Sequence, residues 1–272
     1  MSTSLQNSNI EQNDGNELER HVASLGAQYR NNNLRLGSKL EYRVDENISI
    51  GSEQQITQWL TANSLEYKAS DAWRWLGKLN HSITESDLSG TDQARFTELD
   101  LGFAFRPTKH DRLNLLGRYS FLYDLGSEAQ FNGSLGNPTL LGPQPDERAH
   151  IVSVEALYDI TRRWEVGGKL AARRGSTRLN RDSGPWFDQG INLAIVKGRY
   201  HFIKHMDAVL EYRWLEDSEL KDVKSGALTG LYFHLGKHVK LGGGYNFTDF
   251  SDNLKDTSYD HQGWFIDVVG KF

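Results

Sequence analysis

The sequence predicts an all-β protein, a closed antiparallel up-and-down transmembrane β-barrel of about 12 strands (range 12–14). Three observations carry that expectation. Side chains alternate with period 2 from Asn33 to the end of the chain. Short and long connections alternate along it. One parity of every predicted strand is free of charge, although 25% of all residues are Asp, Glu, Lys or Arg.

Composition narrows the classes before any element is drawn. The 272 residues include no Cys, so thiolate metal sites, a Cys nucleophile, iron–sulfur centres and disulfide scaffolds are excluded. A net charge of −5 argues against a nucleic-acid binder. Mean hydropathy is −0.61, and no apolar run approaches the length of a membrane-spanning helix. A membrane-spanning barrel escapes that test, because only alternate residues of its strands must be apolar.

The elements follow in order. Residues 1–17 are polar, with neither the basic start nor the apolar stretch of a secretory signal, and are expected to be a disordered lead-in. Residues 18–272 are expected to form the barrel. Within 18–32, His21, Ala23, Leu25, Ala27 and Tyr29 alternate with polar neighbours, which leaves an extra strand there open. The segment 33–44 sets Leu34, Leu36, Leu40, Tyr42 and Val44 against Arg35, Lys39, Glu41 and Arg43. A helix would scatter those charges around its circumference.

The same alternation predicts strands at 54–69, 72–84, 96–106, 112–124, 149–160, 163–173, 189–202, 206–215, 225–235, 238–248 and 261–272. Each is longer than an ordinary globular strand and long enough to cross a bilayer at a tilt. Tight turns at Ser70-Asp71, Pro107–Asp111, Thr161-Arg162, Ile203–His205 and Gly236-Lys237 alternate with polar loops at 45–53, 85–95, 125–148, 174–188, 216–224 and 249–260. That layout suits short periplasmic turns opposite longer external loops, with both chain ends periplasmic.

The greasier parity of the twelve predicted strands holds 71 positions, none of them charged. Hydrocarbon explains this, since Arg or Lys on the outer face at mid-bilayer costs about 2–4 kcal/mol. Aromatic residues gather near strand ends. Trp73, Trp75, Trp164, Tyr200 and Phe272 lie by the short turns, and Trp59, Trp214, Tyr245 and Trp264 lie toward the long loops. Two such belts match the two membrane interfaces. The outward face is therefore expected to meet outer-membrane lipid and lipopolysaccharide.

Two stretches carry a resemblance. Thr161-Arg162-Arg163-Trp164-Glu165-Val166-Gly167 is one, and Gly243-Gly244-Tyr245-Asn246-Phe247-Thr248-Asp249-Phe250 with Gly263-Trp264-Phe265-Ile266 is the other. Both are similar to the C-terminal outer-membrane β-barrel region of large Gram-negative, repeat-bearing surface proteins. The resemblance implies a location in the cell outer membrane and a barrel that anchors or exports a surface protein. It implies no catalytic residue. The alternating Trp264, Ile266, Val268, Gly270 and Phe272 resemble the terminal-strand signature read by the barrel assembly machinery, which is thus an expected partner.

The opposite parity is expected to line the lumen. It presents Arg35, Lys39, Glu41, Arg43, Glu98, Asp100, Arg112, Arg118, Glu155, Arg163, Lys169, Arg173, Glu211 and Arg213. Over all strands this face carries 17 basic and 11 acidic residues, so a water-filled passage there would favour anions. A second expectation is therefore a small passive porin with mild anion preference, suited to acidic saccharides. A soluble barrel that keeps its apolar face inside is a third.

Candidate chemistry is weak elsewhere. His81 and His150 fall on the outward parity, Ser82 and Ser153 on the inward one, and no G-x-S-x-G motif is present, so no enzyme is expected. His201 and His205 would need a helix to share a metal. The acidic loop Ser251–Asp260 lacks an EF-hand pattern and is expected to be solvated. No cofactor and no metal are expected.

Overall fold

The computed structural model describes residues 2–11, 17–49, 52–87, 92–109, 112–125, 146–179, 184–203, 205–236, 239–250, 252, 254–255 and 262–270. Fourteen strands form one sheet in strict sequence order. They are β1 (Ser2–Glu11), β2 (Glu17–Arg30), β3 (Leu34–Ser49), β4 (Ser52–Lys68), β5 (Trp73–Ser86), β6 (Asp92–Phe105) and β7 (Leu113–Leu125). Then come β8 (Asp146–Asp159), β9 (Trp164–Arg178), β10 (Phe187–Ile203), β11 (Met206–Asp217), β12 (Asp222–Leu235), β13 (Val239–Asn246) and β14 (Gly263–Gly270). Every neighbouring pair is antiparallel.

Two expectations are corrected. The strand count is 14 rather than 12, and among the described residues β1 does not pair with β14, so the sheet is an open meander. The extra strands come from the N-terminal segment. Ser2–Glu11 and Glu17–Arg30 pair residue for residue from Ser2↔Gly26 to Glu11↔Glu17, where a disordered lead-in was expected over 1–17. Antiparallel pairing satisfies a polar backbone whatever its side chains are. The side chains do mark β1 as an edge: Thr3 and Asn7 share its outward parity with Leu5.

The strands also run further than their apolar parity indicates. β3 and β4 pair from Leu34↔Tyr67 to Ser49↔Ser52, which turns the expected loop 45–53 into the tip of a hairpin. Asp45 sits inside that extension, held by the guanidinium groups of Arg20 (2.9 Å) and Arg43. A charge that seemed to end the strand instead has its counterions on the same inner face.

The short turns are built by local side-chain acceptors. The Asn31 Oδ1 accepts from the backbone N–H groups of Asn33 (2.9 Å) and Leu34 (2.7 Å). Ser70 Oγ accepts from Ala72 and Trp73, and Thr161 Oγ1 accepts from Arg163 and Trp164. These residues offer the backbone a turn in place of a ladder.

Face assignment follows from pairing and exposure. Leu101, Leu170, Val196, Leu210, Leu231 and Ile266 are exposed and share one face. Aromatic rings meet on it: Tyr42 with Trp59 (4.5 Å between centroids), Trp164 with Tyr200 (4.5 Å) and Tyr245 with Trp264 (5.2 Å). Gly117 shows how tightly this face is tiled. A Cβ there would come 2.2 Å from the Phe103 ring, which lies across the glycine. The buried cluster lies on the opposite face: Ile151, Ala171, Ile191, Leu193 and Ile195, capped by Phe250 and Leu254.

Candidate functional site

The concave face is a lattice of ion pairs. Glu66 on β4 is shared by Arg35 (3.1 Å) and Arg74 (3.3 Å). Lys39 meets Glu41 (2.6 Å), and Arg199 meets Glu165 (3.0 Å). Glu211 pairs with Arg213 (2.5 Å) and more loosely with Lys197 (4.0 Å). Asp207 accepts from His201 Nδ1 (2.6 Å) and His234 Nε2 (2.8 Å), with the Lys240 ammonium 3.6 Å away. Cross-strand alternation places these groups together, because residues paired in register share a face.

Most of the predicted interior residues lie where the parity put them. Arg35, Lys39, Glu41, Arg43, Glu98, Asp100, Arg118, Glu155, Lys169, Arg173, Glu211 and Arg213 are all on strands of the concave face. Arg112 and Arg163 are not in the wall. They sit in the short turns before β7 and β9, at the rim. Both follow turn residues, and each strand begins one residue later than the alternation indicates.

The predicted interface aromatics Trp59, Trp73, Trp75, Trp164, Tyr200, Trp214, Tyr245 and Trp264 all lie on the convex face. Phe272 lies outside the described residues, as do 126–145, most of the expected loop 125–148. The histidines weighed for catalysis have other partners. His81 Nδ1 is 2.9 Å from Thr97 Oγ1, and His150 Nδ1 is 2.8 Å from the Tyr119 hydroxyl. His234 turns inward to Asp207.

The feature that sequence reasoning missed is the connection between β13 and β14. It was expected as an acidic, solvated loop. Instead its described residues 248–250, 252, 254 and 255 lie against the concave face as a strap. Thr248 begins it, fully buried, with its hydroxyl donating to Asn246 Oδ1 (2.5 Å). Gly226 on β12 permits that approach, since a Cβ there would lie 2.6 Å from the Thr248 methyl. Phe250 (7% exposed) and Leu254 (5%) then cover the apolar patch of β8, β9 and β10.

Polar contacts fix the strap at further points, beginning with Lys224 on Asp249 (3.1 Å). Lys169 donates to the Asp252 carbonyl (2.7 Å). Arg173, which is 1% exposed, donates to the Leu254 carbonyl (2.6 Å) and is paired with Glu147. Lys255 reaches Glu98 (2.6 Å) and Asp100 (2.8 Å) on β6. Burial alone would lower the Lys255 ammonium, but the hydrogen bonds it donates to Asp100 and Glu98 outweigh it and raise its pKa above the ordinary value.

A segment that starts on β13 and ends against β6 must span the inside of a curled sheet. The strap thus shows barrel-like curvature even though the two edge strands are unpaired. A signal for it existed in the sequence. Ile191, Leu193 and Ile195 are apolar on the parity that carries Lys197 and Arg199, and a water-lined wall has no use for them.

Below the strap lies a chamber of about 740 Å³. Arg35, Glu66, Lys78, Asp100, Arg118 and Lys169 are among its lining residues.

No protein-family model and no curated sequence matches the chain. Solved structures do match its fold. The siderophore receptor PirA from Acinetobacter baumannii is 14% identical at a TM-score of 0.56, covering 88% of this chain and 41% of that one. A point mutant of the ferric enterobactin receptor PfeA from Pseudomonas aeruginosa is 10% identical at a TM-score of 0.58, covering 90% and 43%. The copper transporter OprC is 9% identical at a TM-score of 0.54, covering 93% and 48%. This chain therefore spans less than half the length of these structures. The likeness is one of fold, and the fold is that of outer-membrane β-barrels.

Proposed function

We propose that this chain lies in the cell outer membrane as a transmembrane β-sheet barrel whose charged interior is a passage for small polar solutes, narrowed by the β13–β14 strap. The observation that carries the reading is the segregation of faces. Exposed Leu, Val, Trp and Tyr cover the convex side, and Arg, Lys, Asp and Glu pair on the concave side. A water-soluble barrel would reverse that arrangement.

In lipid, the free edges of β1 and β14 must also be paired, since unsatisfied backbone groups cost several kcal/mol each. Ser2 and Gly270 both lie at the short-turn end, so β1 and β14 run antiparallel and have the sense required for a seam. Outer-membrane lipid and lipopolysaccharide then contact the convex face, and the barrel assembly machinery reads the terminal strand.

The likeness to solved outer-membrane receptors and transporters supports the membrane barrel, and the solute-handling role rests on the charged interior. A second reading, a membrane anchor or translocation unit of a larger surface protein, is favoured by the strap itself. It fills the interior beside β8–β10, as an anchor without a bore would require. Planar-bilayer recording of the refolded chain separates the two. Steady ion conductance is expected, and its absence at high protein load would leave the anchor.

A further inference from the structure

We propose that the chamber beneath the strap is a binding site for a small oxyanion, with Arg118 as its principal contact and Lys255 as the residue that makes the site selective. The proposal deepens the interior reading above and rests on the inward assignment of the charged face.

Arg118 and Arg30 are the cations lining this chamber that have no side-chain partner among the described residues, and Arg118 is the one set in the wall between β6 and β8. Its neighbours explain why. In register it lies between Gly102 on β6, which has no side chain, and Ser153 on β8, which has a short one. The guanidinium therefore projects into the 740 Å³ space with its donors free. A planar fork of N–H donors is suited to two oxygens of a phosphate, sulfate or carboxylate group.

Two of the three acids that line the chamber, and Glu98 beside them, are already committed. Glu66 is held between Arg35 and Arg74. Asp100 accepts from Ser120 and Lys255, and Glu98 from Lys78 and Lys255. Glu155 lies opposite Lys169 in register, but that ammonium bonds Asp252, so Glu155 keeps its charge while the cations of the lining still outnumber its acids. Lys255 comes from the strap, so the strap cancels the two carboxylates that would otherwise repel an anion beside Arg118. In a semi-enclosed space with protein walls, such a surplus of positive charge acts more strongly than on an open surface.

The charged side chains that line the chamber lie on the face opposite the exposed leucines and tryptophans, so a free anion rather than a lipid headgroup is the ligand, and inorganic phosphate is the probe. The test is equilibrium binding of inorganic phosphate to the refolded full chain in micelles, followed by phosphorus NMR at fixed ionic strength. The wild-type protein is expected to bind. Arg118→Gln should lose at least tenfold in affinity and Lys255→Gln severalfold, while Arg112→Gln at the rim should bind as wild type.

Arg118 holds no partner, so its replacement is expected to leave the circular dichroism spectrum unchanged. If Arg118→Gln fails to refold, Lys255→Gln decides. No binding by the wild type, or equal binding by all three variants, overturns the site. Phosphate binding without bilayer conductance would uphold the site and remove the passage reading. Conductance without phosphate binding would do the reverse.

Discussion

Phe250→Ala is expected to free the strap without unfolding the sheet. Phe250 and Leu254 are the apolar anchors of the strap, each less than a tenth exposed against Ile151, Ala171, Leu193 and Ile195. Truncating a buried Phe costs about 3–5 kcal/mol in a well-packed core. Here the loss falls on a local docking equilibrium, not on global folding. At about 1.4 kcal/mol per factor of ten, even ~3 kcal/mol raises the undocked population roughly a hundredfold.

The chain has no cysteine, so one can be placed as an unambiguous reporter. Ala171→Cys puts a thiol in the wall beneath the strap at a site 8% exposed. The rate of its reaction with a small hydrophilic thiol reagent then reads strap opening, because the closed strap covers it. In the Ala171→Cys background, Phe250→Ala should raise that rate by one to two orders of magnitude. Phe247→Ala, whose ring is exposed and packs at a tilt against Tyr245 on the convex face, should leave it unchanged. Equal rates for Phe250→Ala and the parent would refute the docking energetics argued here.

Three more expectations follow from the same geometry. Leu101 (48% exposed) and Leu116 (46% exposed) differ in face and hardly in exposure. In a bilayer refolding titration Leu101→Arg should lose about 2–4 kcal/mol, as for a charge on the lipid face. Leu116→Arg, facing the chamber, should lose under ~1 kcal/mol, and equal losses would contradict the assigned faces. Asp45→Asn leaves Arg20 and Arg43 without their shared carboxylate. A loss of ~3 kcal/mol is expected, at the low end for breaking a buried pair because the two guanidinium groups are partly open to water. An unchanged titration midpoint would dismiss the triad as a stabilising element. Finally, the raised Lys255 pKa means that its contribution to docking is complete below the ordinary value of 10.5 and is lost as pH climbs through the higher bound-state value. Labelling of Ala171→Cys, normalised to an unprotected cysteine, should stay flat from neutral pH to about 10 and rise above it. A rise beginning near neutrality would exclude Lys255 as the controlling group.

The sheet was legible in the sequence wherever a bilayer and an aqueous interior impose opposite demands on alternate residues. Leu99, Leu101, Phe103 and Phe105 against Glu98, Asp100 and Gly102 specify both a strand and its two faces. The same criterion stops too early where a strand leaves the hydrocarbon. Asp45 and Glu46 end the apolar pattern of β3, yet the ladder continues to Ser49. β1 fails the criterion altogether, since Thr3 and Asn7 carry no lipid signal, and only its register with β2 defines it. Backbone pairing needs no particular side chain, so the part of a barrel that rises above the membrane leaves a much fainter trace than the part inside it.

The strap was hidden for a related reason. The loop that contains it, 249–260, is acidic in sequence, and acidic loops are normally solvated. What makes it an interior segment is complementary to the wall and is spread over four strands. Ile191, Leu193 and Ile195 on β10 are surplus apolar residues on a charged face, and Arg173 on β9 is a cation for which β9 and β10 offer no carboxylate in register. Each looks like an exception in its own strand. Together they describe a surface with one apolar patch and one deeply placed donor. A short segment bearing Phe250, Leu254 and a free carbonyl satisfies both, as the 2.6 Å bond from Arg173 to Leu254 shows. Apolar residues on the wet parity of a barrel strand therefore mark the footprint of an inserted segment. The cations flanking them point to where its backbone passes.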